Sequence, residues 1–432
     1  MKKLIILAFA IGFAGLIASQ AFAGATQVDA LIEKLVDKGI LTRAEGIKLK
    51  GEIAADEKLV REESKKELLP DFVRNMKLKG DLRTRMQYEK KSNDTEARTR
   101  ARIRYRLGIE STVNDQVKVM AGIASGGSDP RSTNQTLQNS FEQPDIRLNY
   151  AAGEYTPAKW AKIVLGKFEK KPYLWAPTDL LWDTDINPGG AMISLENAIF
   201  GNPRLSFFTN TGVLVIDENG KLDRADPYVK VLQGGLKWKG SLIDVAAAGT
   251  HYAFNGLKGT CPDWSSKTNT GVTGATINSD TGACTAGTGV LTHDYDSVVA
   301  SGELGFTNLF GGLPLGIDDR IFFFADFVHN PDPSDNNNGW AYGLGFGKAK
   351  LAIPGDWQIK VLKTTLERDA WPDFLPDSDR LAGATNINGQ EYTLEYVWKK
   401  NVILGLDFYQ TDTLIGAHNR ERLLQADVVF KF

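Results

Sequence analysis

Between Arg98 and Arg106 every second residue is an arginine; Thr99, Ala101, Ile103 and Tyr105 fill the gaps and Leu107 follows. A helix would scatter side chains at this spacing around its axis, whereas a strand puts them all on one face. The stretch therefore reads as a strand with five guanidinium groups on one side and mostly apolar groups on the other. Such a strand needs water on one face and an apolar medium on the other, and few folds supply both.

The same period of two runs from Lys77 to the last residue. Leu78, Leu82, Met86 and Tyr88 alternate with Lys77, Lys79, Asp81, Arg83, Arg85 and Gln87 just before the arginine row. Further alternating stretches fall near residues 116–125, 145–155, 161–168, 190–199, 204–214, 226–238, 241–254, 296–306, 320–329, 339–351, 355–367, 390–398, 402–411 and 421–432. That makes about sixteen strands of ~10 residues each, long enough to cross a bilayer at a tilt. The connections alternate in length. Short ones at 111–115, 156–160, 200–203, 239–240, 353–354 and 399–401 are separated by long polar ones at 90–96, 126–144, 169–189, 216–225, 255–295, 330–338, 368–389 and 412–420. The connection at 307–319 is a longer exception on the short side. Tight turns at one end and long loops at the other mark an antiparallel transmembrane barrel. Tyr88, Tyr155, Trp160, Trp238, Trp340, Trp357, Tyr392 and Trp398 gather toward strand ends, where interfacial aromatic girdles would sit.

The N-terminus follows other rules. Met1-Lys2-Lys3, an apolar stretch from Leu4 to Ala18 and Ala21-Phe22-Ala23 have the layout of a removed secretory signal peptide over residues 1–23. No apolar run of ~18 residues follows it, so no helical span is expected in the mature chain. Over residues 24–75, Val28, Leu31, Ile32, Leu35 and Val36 recur at helical spacing up to Gly39, a natural C-cap. Thr42-Arg43-Ala44-Glu45 then has the form of a capping box that opens a charged helix, which Pro70 ends. The narrow apolar stripe predicts a periplasmic helical appendage suited to self-association, as in a coiled coil. Export makes a loop disulfide between Cys261 and Cys284 the expectation, and two cysteines so far apart make a poor metal site. The formal net charge of −2 argues against a nucleic-acid binder.

The final strand alternates Leu424, Ala426, Val428, Phe430 and Phe432 with Leu423, Gln425, Asp427, Val429 and Lys431. Its Phe430 and Phe432 resemble the C-terminal signal by which the barrel-assembly machinery recognises outer-membrane barrels. Together with the leader and the charged segment from Leu31 to Thr42, this ending resembles the bacterial "putative porin" family of Gram-negative outer membranes. The resemblance covers essentially the whole chain. It implies an all-β fold, a transmembrane antiparallel β-barrel over residues 76–432 with a short periplasmic helical segment before it. It also implies an outer-membrane location in contact with lipid, passive diffusion of small hydrophilic solutes and, by analogy with sixteen-stranded porins, a homotrimer.

Within a barrel the arginine row has one affordable side. Facing lipid near the midplane, each arginine would cost ~2 to 4 kcal/mol, and five together would exceed the usual stability of a domain. Lys77, Lys79, Arg83, Arg85, Arg98, Arg100, Arg102, Arg104 and Arg106 are therefore expected to form a basic wall of the lumen, relieved by Asp81 and Glu89. The connection at 169–189 holds Asp179, Asp183 and Asp185 among Trp175, Trp182 and three prolines, too apolar for a freely solvated loop. General porins fold the loop after the fifth strand into the barrel, and the resemblance places these three aspartates at a constriction facing the basic wall. The expected outcome is a weak anion preference. The alternative is a substrate-selective anion or phosphate channel that uses the arginines as a ladder.

Enzymatic chemistry has little support. His251, His293, His329 and His418 fall near strand ends or in loops at no catalytic or metal-ligating spacing, so neither catalytic residues nor a metal or other cofactor is expected. The glycines of Gly343-Leu344-Gly345-Phe346-Gly347 are followed by no helix and make no phosphate-binding turn. An adhesin or purely structural barrel remains the third class, kept open by the loop at 255–295.

Overall fold

The computed structural model describes residues 30–68, 71–218, 226–272, 290–308, 320–348 and 350–432. The expected leader and Cys284 lie outside them. The chain divides into two units, Met1–Asn75 and Met76–Phe432. In the first, residues 30–37 are helical, followed by α1 (Arg43–Leu68) and the single turn α2 (Asp71–Arg74). The capping box forms: the Thr42 N–H donates to Glu45 Oε2 at 2.8 Å and the Glu45 N–H donates to Thr42 Oγ1 at 3.3 Å. Gly39 ends the preceding helix with φ +70°, and Ile32 is buried where that helix meets α1 at Gly46.

The second unit is a closed antiparallel barrel with sixteen long strands among the described residues. They are β1 (Lys77–Lys91), β2 (Arg98–Asn114), β3 (Val117–Ser125), β4 (Ile146–Ala158), β5 (Ala161–Lys167), β6 (Gly189–Ile199), β7 (Asn202–Val215) and β8 (Tyr228–Lys239). The second half is β9 (Ile243–Asn255), β10 (Asp296–Thr307), β11 (Arg320–His329), β12 (Asn338–Gly347), β13 (Trp357–Leu366), β14 (Ile387–Lys399), β15 (Val402–Thr413) and β16 (Glu421–Lys431). Each strand pairs with its sequence neighbours, and β1 pairs with β16 to close the sheet, Arg85 opposite Asp427. Closure leaves no unpaired edge, the condition a sheet must meet in a bilayer.

The burial is inverted relative to a water-soluble sheet. Along β16 Gln425 and Asp427 are 0% and 7% exposed while Leu424 and Phe430 are 39% and 41% exposed. Polar residues thus turn inward and apolar ones outward, the arrangement the period of two requires when lipid surrounds the sheet. The turn after β2 is tighter than the sequence pattern shows, because β2 runs to Asn114, whose side-chain oxygen accepts the N–H groups of Gln116 and Val117 at 3.0 and 2.9 Å. Between β6 and β7, Phe200 and Gly201 both adopt positive φ, 51° and 71°, as a two-residue hairpin turn demands. The longer short-side connection lies mostly outside the described residues, which resume at Arg320.

The barrel interior holds an apolar core of its own. The connections after β5, β9 and β13 bring in Trp182, Leu257, Leu291 and Trp371, which pack with Tyr252 and Phe254 from the inner face of β9. Trp371 is fully buried and meets Tyr252 and Phe254 edge-on, with centroids 4.9 and 5.2 Å away.

Candidate functional site

Register alone stacks the charged residues of β1 and β2. Arg83 lies opposite Arg104, Arg85 opposite Arg102, Asp81 opposite Arg106, Gln87 opposite Arg100 and Glu89 opposite Arg98. Like charges directly opposite destabilise a strand pair, and in each such pair at least one arginine meets a carboxylate. Asp81 takes Arg104 and Arg106, both at 2.8 Å. Asp427, brought alongside by closure onto β16, accepts two hydrogen bonds of 2.7 Å from Arg85 and lies 3.5 Å from Arg83. Arg100 pairs with Glu89 at 2.8 Å, and Lys79 with Glu169 at 2.8 Å. Arg102 donates to Gln87 and Ser132 and has no carboxylate partner among the described residues; Lys77 and Arg98 likewise hold no ion pair there. The row forms a network of ion pairs more than a bare cationic surface.

The connection after β5 enters the barrel. Its chain is tied to β8, where the Gln233 side chain accepts the Trp175 N–H at 3.0 Å and donates to the Trp175 carbonyl at 2.8 Å. On β11, Asp326 accepts the Thr178 N–H at 3.0 Å. Trp182 packs against Tyr252 and Trp371.

The three aspartates go to different partners. Asp185 alone reaches the arginine row, 3.5 Å from Arg106, and it also accepts the Thr133 N–H and hydroxyl at 3.1 and 3.0 Å. Asp183 is buried and accepts the N–H groups of Asp185 and Ser378, each at 2.8 Å. Asp179 pairs with Arg380 at 2.8 Å. Burial pushes the Asp183 carboxyl up to about 7, and the neighbouring Asp185 adds to the shift. At Asp185 burial acts in the same direction, but the Arg104 and Arg106 guanidinium groups outweigh it and hold the carboxyl below its ordinary range.

Arg380 is the residue that sequence reasoning missed. It is almost fully buried and pairs with Asp179, Asp377 and Glu391, so it joins the connection after β13 both to the one after β5 and to the inner face of β14. A signal was present: Trp371-Pro372-Asp373-Phe374-Leu375-Pro376-Asp377 mixes tryptophan, proline and aspartate much as Trp175 to Asp185 does. Trp371 Nε1 donates to the Leu181 carbonyl at 2.7 Å, so the two similar segments pack on each other. Cys261 is buried in the connection after β9, and its expected partner Cys284 lies outside the described residues.

Between these loops and the short-turn end of the barrel lies a cavity of about 1010 Å³. Asp81, Glu169, Asp179, Asp185, Glu303 and Glu391 line it, and each forms an ion pair within the protein. Lys171, Lys360 and Lys431 also line it and have no carboxylate partner among the described residues.

Comparisons agree with this architecture. The barrel resembles OprB of Pseudomonas putida at a TM-score of 0.52 and 12% identity, covering 83% of this chain and 95% of that one. It also matches a porin of Rhodopseudomonas blastica (TM-score 0.42, 10% identity, 83% and 100% covered) and a loop-deletion form of OmpT from Vibrio cholerae (0.44, 13%, 83% and 99%). Comparison with functionally curated proteins gives no significant match. The profile of the family described as "Putative porin" matches residues 87–290 and 318–432, most of the barrel. The chain belongs to that porin family.

Proposed function

We propose that the barrel is a water-filled channel for passive diffusion of small hydrophilic solutes and ions, with a weak preference for anions. One observation carries the preference: every side-chain carboxylate lining the cavity forms an ion pair with an arginine or lysine, while Lys171, Lys360 and Lys431 form none among the described residues, Glu391 acting on Lys360 only at longer range. A lumen whose acids are paired and three of whose lysines are not has a positive local field, and partly dehydrated ions respond to it. The family and fold point to a channel rather than an enzyme.

Reversal potentials across a KCl gradient test this reading. The expected sign is chloride over potassium, and the combined K171Q/K360Q/K431Q variant is expected to bring the ratio close to unity. A clear cation preference in the unaltered protein would overturn the reading.

The alternative, a selective anion or phosphate track along Arg98 to Arg106, draws on the continuity of the row. The ion pairs weigh against it, since an arginine already held by Asp81 or Asp427 must exchange a fixed carboxylate for a mobile anion. Saturation of KCl current by millimolar phosphate would favour the track. Three accompanying features belong to the same proposal: a cleaved leader over residues 1–23, a periplasmic helical segment before the barrel and a disulfide from Cys261 to Cys284. Intact-mass measurement with and without reductant reads the first and the last.

A further inference from the structure

The glycine-rich strand β12 faces two phenylalanines in an unusual way. Phe322 and Phe324 of β11 point inward, and register sets Phe322 opposite Gly345 and Phe324 opposite Gly343. A methyl group built on Gly345 would sit 2.2 Å from the Phe322 ring, and one on Gly343 would sit 2.4 Å from the Phe324 ring. The rings therefore lie sideways against the backbone of β12 instead of projecting across the lumen, and only glycine permits so close an approach. Their centroids are 5.7 Å apart and their planes differ by 31°, so they form two adjoining tiles. The next strand continues the surface, because Gly343 lies opposite Leu362 and Gly345 opposite Lys360 on β13. Three strands thus assemble an apolar floor of Phe322, Phe324 and Leu362 with Lys360 at its edge and the Arg320 guanidinium 5.0 Å from the centre of the Phe322 ring, and all five residues line the cavity.

We infer that this floor is a binding subsite for small organic anions with a flat apolar face, of which an aromatic monocarboxylate is the simplest. The inference rests on the channel reading and names a solute class for it. A planar ring stacks offset on the Phe324 tile beside Arg320, and its carboxylate meets Lys360, which forms no ion pair among the described residues. A sugar would also stack on an aromatic floor, but it needs acceptors for its hydroxyl groups. Glu303 and Glu391 on the neighbouring strands are committed to Arg320 and Arg380, which leaves the Gln358 side-chain oxygen as one neutral acceptor beside the floor, fewer than a sugar ring requires.

The test uses the full barrel reconstituted in planar bilayers, with benzoate, acetate, benzyl alcohol and glucose titrated against KCl current. Binding of the same probes to the detergent-folded protein is measured by calorimetry. Benzoate is expected to bind saturably and at least about tenfold more tightly than acetate or glucose. Lys360→Gln is expected to weaken benzoate several-fold while leaving benzyl alcohol as it was, and Phe322→Leu with Phe324→Leu to weaken both. Gly345→Ala, which lifts a ring off the wall, is an independent perturbation of the same floor and is expected to weaken benzoate as well. Equal binding of benzoate and acetate, tighter binding of glucose, or benzoate binding indifferent to Lys360→Gln would each overturn the inference. A silent bilayer with benzoate still bound in calorimetry would sink the channel reading and keep the subsite; open KCl channels with no benzoate binding would do the reverse.

Discussion

Two walls of one barrel solve the problem of large inward side chains differently. On β1 and β2 the arginines face one another or other long side chains across the shared ladder and are answered by Asp81, Glu89 and, from β16, Asp427. On β11 to β13 the partners of Phe322 and Phe324 are glycines, and the rings fold down onto the neighbouring strand. The difference teaches that in a barrel the size of the residue one strand away decides whether an inward side chain narrows the pore or tiles it. Register, which hydrogen bonding fixes, sets that neighbour.

The largest expected effect breaks the charged wall. Asp81→Asn leaves Arg104 and Arg106 without their shared carboxylate, and removing one partner from a buried ion-pair set costs ~3 to 5 kcal/mol. Urea unfolding in lipid vesicles should show that loss, and a shift below 1 kcal/mol, a threshold set at roughly the value of an exposed pair, would mean the arginines find other partners or water. A middling effect is expected on the flat wall. Gly345→Ala overpacks the contact with Phe322 at ~1 to 3 kcal/mol and pushes the ring toward the lumen, so conductance should fall together with stability. Unchanged conductance would show that the ring slides along the wall instead.

The smallest effect sharpens the comparison where the loop meets the charged wall. Asp183 has its carboxyl raised in the folded protein, so the folded state binds the proton more tightly and the stability of its clamp falls as pH rises from ~4 to about 7. Asp185 has its carboxyl lowered, so its anchorage holds above the ordinary carboxylate range and is lost as pH falls through the depressed value. The urea midpoint should therefore decline between those pH values, while amide protection at Ser378, whose N–H bond favours the ionised Asp183, is kept. Loss of Ser378 protection over that range would contradict this assignment.

Much of the fold was legible because its signal is local. A spacing of two is a property of neighbouring residues, and it assigns Arg104 to one face and Ile103 to the other before any partner strand is known. The capping box of Thr42 and Glu45 was legible for the same reason. The inward loops were legible only in composition. Trp182 among prolines and aspartates announces a segment too apolar for water, but nothing in residues 169–189 announces that Asp179 will meet Arg380, some two hundred positions on. The glycines of β12 were visible as strand glycines, yet their role depends on which residues of β11 the register sets beside them.

By itself the sequence determined the barrel and the side of each strand that meets lipid, because alternation in an apolar medium leaves one solution. Only the tertiary structure decided which charges cancel, which rings lie flat and where each aspartate is anchored. Those outcomes depend on sheet closure and loop docking, contacts between residues far apart in the chain that no local period encodes.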